Sequence, residues 1–386
     1  MRRATGSIRQ RSPGSYELRY SLGIDPATGK RKIATATFKG SQKDAERELR
    51  RLLRSLDTGE AIEPNKLVAR DWFQQWLKMV RPELSPLTHR LYDQSVRLYL
   101  APAFGNLPLV KLTPAHIQAA YSALAEGGRR DGRGGPLAAT TRRLIHRVLT
   151  ACLNRALELQ LIGRNPALVL RRRLPKVDRV EMAILSPEQT RQVLGVTRGT
   201  ELYPPVLIAL ATGARRGEIS ALRWRNVDLD RGEVLIAESA REMKGRDVTV
   251  GSTKTGKTRR VTLPTFATEE LHAWKREQAE QLLRVGVRQS GDTPVCTRPD
   301  GERVTPNMLT DRFRDLAKRL GLPVHFHSLR HTHASQLLLA GAHPRTMQER
   351  LGHSSVALTL DVYSHVTERL RDDAADRIDA VLRGTR

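Results

Sequence analysis

The 386 residues carry 66 Lys plus Arg against 41 Asp plus Glu, a formal net charge of +25 and a pI near 10.9. That imbalance implies a polyanionic partner, nucleic acid ahead of a solvated basic surface, and the spread of basic residues over several segments argues against one membrane-binding amphipathic helix. The length suits two or three domains. The two cysteines, Cys152 and Cys296, lack framework or CxxC spacing and read as small core residues, and no apolar run reaches membrane-span length, so a disulfide scaffold, a thiolate zinc domain and a membrane-spanning chain are excluded.

The opening "MRRATGSIRQRSPG" is basic with no hydrophobic stretch behind it, which argues against a secretory signal and places the protein in the cytoplasm, at the nucleoid. "SYELRYSL" alternates, with Tyr16, Leu18, Tyr20 and Leu22 on one face and Glu17, Arg19 and Ser21 on the other, the pattern of a half-buried strand. "DPATGK" is a turn and "KIATATF" a second strand. "SQKD" has capping-box form, and Ala45, Leu49, Leu52, Leu53 and Leu56 then recur at helical spacing. This predicts a small sheet crossed by one helix over residues 1–64. Arg9, Arg11 and Arg19 on or beside the strands are candidate DNA contacts, and a merely solvated sheet face fits the residues equally well.

Residues 65–172 read as all helical. Trp72, Phe73, Trp76 and Leu77 mark one apolar face, Thr113 offers an N-cap with Pro114 at the first helical position, and a long amphipathic helix over 140–160 runs through Leu144, Ile145, Val148, Leu149, Cys152 and Ala156. Its Arg142, Arg143 and Arg147 are further candidate DNA contacts, and the segment 65–179 alone carries +13. "EGGRRDGRGGP" reads as a flexible basic loop and "RRRLPKVDRVE", 171–181, as an interdomain linker. Residues 173–386 form the last unit. The expected fold is therefore multidomain, mainly α with small β-sheets: a small β-sheet plus helix, a helical domain, and an α+β domain with a C-terminal tail.

"GSTKTGKT", 251–258, satisfies the P-loop pattern G-x-x-x-x-G-K-[ST]. That chemistry needs a helix after the loop so that its N-terminus meets the phosphates. Here "DVTV" precedes and "RRVTLP" follows, both β-like, which predicts a β-hairpin with a lysine-rich tip. "HFHSLRHTH", 325–333, raises a metal site in the same way, since His327 and His331 stand four residues apart, as zinc ligands on a helix do.

Four pieces decide between these readings: "ATGARRGEISALRW" at 211–224, "TKTGKTRR" at 253–260, "HSLRHTHAS" at 327–335 and "LGHSSVALTLDVYSHV" at 351–366. In order and spacing they resemble the signature boxes of the tyrosine recombinase (phage integrase) family, of the three-domain integrase type. The resemblance implies an arm-type DNA-binding domain (1–64), a helical core-binding domain (65–172) and a catalytic domain (173–386). It makes Arg215, rather than its neighbour Arg216, the first catalytic arginine, Glu218 a supporting acid, Lys254 the hairpin lysine with Lys257 as rival, His327 and Arg330 the H-x-x-R pair, His353 the His/Trp position and Tyr363 the nucleophile. Ser328 departs from the acidic residue often found there, and His331 and His333 fall outside the pattern.

The implied chemistry suits these residue types. Two guanidiniums complement the charge gathering on a phosphate's oxygens, and a phenol must lose its proton as it attacks, leaving a 3′-phosphotyrosyl link and a 5′-hydroxyl. No metal, ATP or other cofactor is expected. The implied partners are double-stranded DNA at core and arm sites, further copies in a homotetramer on DNA, and accessory DNA-bending or directionality proteins, with no membrane. A chromosome-dimer resolvase of the same family, a type IB topoisomerase and a DNA-binding regulator without the reaction are the alternatives. After Tyr363, Val366, Leu370, Ala374, Ile378 and Leu382 space out an amphipathic tail.

Overall fold

The computed structural model describes residues 6–24, 31–57, 67–132, 134–177, 183–242, 248–253, 256, 258–352 and 382–383. The chain divides into two compact units, 1–179 and 180–386. It is mainly α with small antiparallel sheets. Among the described residues no helix is long and apolar enough to cross a membrane.

The first unit holds two separate cores. Strands β1 (Gly6–Ser12), β2 (Ser15–Ile24) and β3 (Arg31–Lys39) form an antiparallel sheet in sequence order, with helix α1 (Gln42–Asp57) over one face. Tyr16, Leu18 and Tyr20 are buried there with Ala34, Ala45 and Leu49, as the alternation requires. Ser41 caps α1, its Oγ accepting from the Asp44 N–H at 3.2 Å. The sheet has one strand more than the sequence pattern suggests. β1 brings only Ile8 to the buried face, so it has no apolar alternation to announce it, and its pairing with β2 is what makes it a strand.

The second core is helical: α2 (Ala69–Val80), then α3 (Pro86–Ser95) running through one π-turn, Val96–Leu100, into α4 (Ala101–Phe104), then α5 (Pro114–Glu126) and α6 (Ala139–Glu158). Trp72, Phe73 and Trp76 of α2 pack with Ile145, Val148, Leu149 and Cys152 of α6, all at most 2 % exposed. The Trp72 indole N–H donates to the Cys152 carbonyl at 3.2 Å, satisfying its polar edge inside the core. Thr113 caps α5 by accepting from the His116 N–H, and His116 Nδ1 accepts from the Thr113 N–H in return.

The second unit contains α7 (Pro187–Thr197), α8 (Tyr203–Thr212), α9 (Arg216–Ala221), strands β4 (Val227–Asp228), β5 (Glu233–Ile236), β6 (Glu238–Arg241), β7 (Thr249–Ser252) and β8 (Arg259–Thr262), and helices α10 (Thr265–Arg284), α11 (Pro306–Arg319), α12 (Phe326–Leu339) and α13 (Pro344–Leu351). Helix α8 is apolar on every side and every residue of it is buried, which makes it the centre of this core.

The strands correct one expectation. β7 and β8, the arms expected to pair with each other around a lysine-rich tip, do not: β7 pairs with β6 and β8 with β5. The two pairings nest, so the chain reverses between Arg241 and Thr249, which lie opposite each other, and not between β7 and β8. The register makes this explicit, since Ile236 lies opposite Arg259 but Glu238 lies opposite Ser252. Pattern alone sees two β-like stretches around a loop; it does not see that each has a better partner upstream.

Candidate active site

The site begins at the corner between α8 and α9. Gly213 ends α8 in the left-handed region (φ +65°), and a Cβ there would lie 2.5 Å from Leu351 Cδ2 and 2.6 Å from the His333 ring, so neither the backbone nor the space admits a side chain. Two residues later Arg215 stands at the N-cap of α9, with Glu218 on its first turn. The Glu218 carboxylate accepts from the Arg215 N–H and from Arg215 Nη1, both at 2.9 Å. Gly217 lets α9 lie directly on β6, where a Cβ would meet the Ala240 carbonyl at 2.6 Å.

Glu218 is 3 % exposed, so its charge needs partners. The second is Arg259 on β8, whose Nη2 and Nη1 donate to the two carboxylate oxygens at 2.6 and 3.3 Å. Burial works to raise the Glu218 pKa, but the hydrogen bond and charge of Arg259, followed by the backbone N–H and charge of Arg215, outweigh it and hold the carboxyl below its ordinary value.

The C-terminal end of α13 completes the cluster. Three consecutive carbonyls accept from three arginines: Arg350 O from Arg259 Nε at 2.9 Å, Leu351 O from Arg330 Nη2 at 2.7 Å and Gly352 O from Arg215 Nη2 at 3.4 Å. These carbonyls have no partner inside their own helix, and they sit at the negative end of its dipole. Arg330, 3 % exposed, also donates through Nη1 to the Gly213 carbonyl at 2.5 Å. Burial, then repulsion by Arg215, lowers its pKa to about 9, with Glu218 working in the opposite direction. It remains a cation at neutral pH. The Arg215 side chain is 29 % exposed, and its contact with Gly352 is long, which leaves donor capacity facing outward.

Helix α12 brings four histidines to this cluster in different roles. His325 and Ser328 form its capping box, with the His325 N–H donating to Ser328 Oγ at 3.3 Å and the His325 ring 3.0 Å from the same oxygen. Ser328, fully buried, therefore works for the helix start. His327 and His331 meet edge to face, ring centroids 4.9 Å apart. The crowding of atoms around His327 at an otherwise exposed position, then the nearness of His331 and Arg330, lowers its pKa to about 4, so the ring is neutral at pH 7. His333 is buried, donating from Nδ1 to the Leu210 carbonyl at 2.6 Å and accepting at Nε2 from Arg350 Nε at 3.3 Å. Among the described residues no three His, Cys, Asp or Glu side chains are grouped so as to hold a metal ion.

The structure thus brings together Arg215, Glu218 and Arg330, with His327 one turn before His331 on the helix that carries Arg330. Arg216 is turned away, with Nη1 donating to Thr310 Oγ1 at 2.5 Å. Lys254, its rival Lys257, His353 and Tyr363 lie outside the described residues, as does the tail except Leu382 and Arg383. Arg9 and Arg19 are exposed on the sheet face turned away from α1, and Arg11 pairs with Glu17 at 2.7 Å. On α6, Arg143 Nε donates to the Pro175 carbonyl at 2.9 Å, Arg147 is exposed, and the Arg142 Nε is buried with no protein partner. Arg259 is the member that the sequence reading passes over. Its signal was available: on β8 it shares the face of the buried Val261, and an arginine on the inward face of a strand needs a buried acid.

The sequence profile of the Phage integrase family matches residues 184–369, and that of the phage integrase N-terminal SAM-like domain matches residues 70–125, together more than half of the chain. The ICEBs1 integrase of Bacillus subtilis is 25% identical over 385 residues, covering 97% of this chain and 100% of that protein. Among solved structures, a Tn1549 transposon integrase in complex with a circular intermediate DNA superposes with a TM-score of 0.66 at 19% identity, over 78% of this chain and 99% of that one. A lambda integrase tetramer bound to a Holliday junction gives 0.57 at 18%, over 90% and 95%. With its recombinase boxes, its arginine cluster and these likenesses, the chain belongs to the tyrosine recombinase (phage integrase) family.

Proposed function

We infer that this chain is a site-specific DNA integrase that cuts and rejoins strands through a 3′-phosphotyrosyl intermediate, integrating or excising a mobile element in the cytoplasm, at the nucleoid. The observation that carries the reading is the convergence of Arg215, Glu218 and Arg330, from boxes more than a hundred residues apart, on one partly open cationic site. A pair of guanidiniums beside a carboxylate that orients one of them suits the oxygens of a scissile phosphate, whose charge grows as the transition state forms.

In this reading the Tyr363 phenol oxygen attacks phosphorus and gives up its proton, and His353 or the neutral ring of His327 is available to accept a hydrogen bond or the proton. The 5′-oxygen leaves with a proton from Lys254. The new tyrosyl phosphodiester keeps the energy of the bond it replaces, so a 5′-hydroxyl of the partner strand reverses the step and the tyrosine is released. Residues 1–64 would read arm sites through Arg9, Arg11 and Arg19, residues 65–172 would clasp core sites with Arg142, Arg143 and Arg147, and 173–386 would carry the chemistry, in a homotetramer on paired DNA sites with accessory DNA-bending or directionality proteins.

The test is a nicked duplex carrying candidate core sites. Wild type is expected to give an SDS-resistant protein–DNA adduct, EDTA is expected to leave it unchanged, and Tyr363→Phe is expected to abolish it. DNA binding without any adduct from wild type would sink the catalytic reading and leave a DNA-binding regulator. Adducts and junction resolution restricted to a chromosomal site would favour a resolvase.

A further inference from the structure

We propose that Arg259 is a positioning residue of the recombination reaction: it ties the exit of α13 to Glu218 and so fixes where the chain departs toward His353 and Tyr363. The inference rests on the recombinase reading above.

Three observations carry it. Arg259 is 10 % exposed and spends all three guanidinium nitrogens inside the protein, Nη1 and Nη2 on the Glu218 carboxylate and Nε on the Arg350 carbonyl. It is therefore a brace between α9 and α13, with no open face of its own for substrate. Next, the brace fits closely: Gly352 adopts φ +65°, and a Cβ there would lie 3.2 Å from Arg259 Nη1 and 3.3 Å from its Cδ. A side chain at this position would strain the left-handed turn and would require the guanidinium to give way by a few tenths of an ångström. Finally, in the sequence Gly352 directly precedes His353, and Arg259, the first residue of β8, follows Lys254 by five residues. One guanidinium thus connects the carboxylate that orients Arg215, the strand that follows the lysine segment and the helix end that precedes the tyrosine segment.

The physical consequence is specific. Lysine can keep a charge beside Glu218, but a single ammonium on a flexible stem cannot reproduce two parallel bonds to a carboxylate together with a third to a carbonyl on the other side. Loss of the brace should therefore misplace the tyrosine-bearing segment rather than weaken the hold on DNA.

The experiment uses full-length wild type, Arg259→Gln, Arg259→Lys and Gly352→Ala. It measures adduct formation on the nicked duplex at saturating protein, duplex affinity by gel shift, and thermal melting. At matched occupancy Arg259→Gln is expected to form adduct at least about tenfold more slowly, while affinity stays within about twofold. Arg259→Lys is expected to recover part of the rate, and Gly352→Ala, which crowds the guanidinium without removing it, to reproduce the slow step. Combining Arg259→Lys with Gly352→Ala should cost no more than the worse single change, because both break one brace. If Arg259→Gln does not fold, the Arg259→Lys and Gly352→Ala rates decide. Rates within about twofold of wild type in the folded variants, or losses of rate and affinity in equal proportion, would overturn the proposal. An adduct absent from wild type itself would instead sink the recombinase reading.

Discussion

At the scale of single residues, neighbours of the same type divide sharply. Arg215 and Arg216 are adjacent and chemically identical, yet one shares the buried Glu218 carboxylate and the other reaches Thr310 on α11. The division follows from helix geometry, because Arg215 is the cap of α9 and folds back over its first turn while Arg216 already points off the helix side. Arg215→Lys is expected to lower the adduct rate by roughly 10²-fold or more, since a donor fork aimed at developing charge is lost, and Arg216→Ala to leave it within about threefold. Equal losses for the two, measured on the same nicked duplex, would contradict the assignment. The resemblance of "TGARRGE" to a recombinase box singles out Arg215 and Glu218, and the structure pairs the two across one turn of α9. Arg259 was not legible, because its partners are 41 and 91 residues away and only its place on the inward face of β8 hints at them.

At the scale of elements, α12 shows how burial sets proton affinity. Burial first, then the positive charge of Arg330, lowers His331 to about 4, and burial with the nearby Arg350 and Arg330 does the same to His333. An unfolded histidine titrates near 6.5, so between about 6.5 and 4 the unfolded chain binds more protons than the folded one, and stability falls as pH falls through that window. The His333 contribution has a structural reason. Its Nδ1–H tautomer lets Nε2 accept from Arg350, and a second proton would set an N–H against that guanidinium. Urea unfolding is expected to show a constant midpoint between about pH 7 and 8 and a falling one from about 6.5 toward 4, with a smaller slope in His333→Gln, which keeps a donor and an acceptor without titrating. An unchanged slope in that variant would refute the account. The strands make the complementary point: the sequence shows the lysine-bearing stretch between two β-like segments, but β7 pairs with β6 and β8 with β5, so the two do not form a hairpin with each other.

At the scale of the whole chain, the charge is the dominant fact. A protein with +25 formal charge that works on duplex DNA should release counterions on binding, so affinity should fall steeply with salt. Replacing Arg9 and Arg19 together by Gln is expected to flatten the log–log salt slope on arm-site duplexes by roughly two units and to leave the slope on core-site duplexes unchanged; Arg143→Gln with Arg147→Gln should do the reverse. Slopes that change on both duplexes, or on neither, would remove the division of labour between the first 64 residues and the helical segment. The exposed outer face of the small sheet, where Arg19 lies opposite Thr35 and Arg9 opposite Glu17, is the surface that motivates the first pair.

The amino-acid sequence by itself determined what local chemistry can encode. The caps at Ser41 and Thr113, the apolar stripes of α2 and α6 and each recombinase box depend on residues within a few turns of one another, and the net charge that selects a polyanion depends on composition alone. Tertiary structure decided what depends on distant partners: the strand Gly6–Ser12, the pairing of β7 and β8, the burial of Arg330, and the meeting of three arginines with the carbonyls of residues 350–352. The physical reason is that a buried charge and a helix end each need a partner, and the fold satisfies both with groups up to 137 residues apart, a match that no local pattern contains.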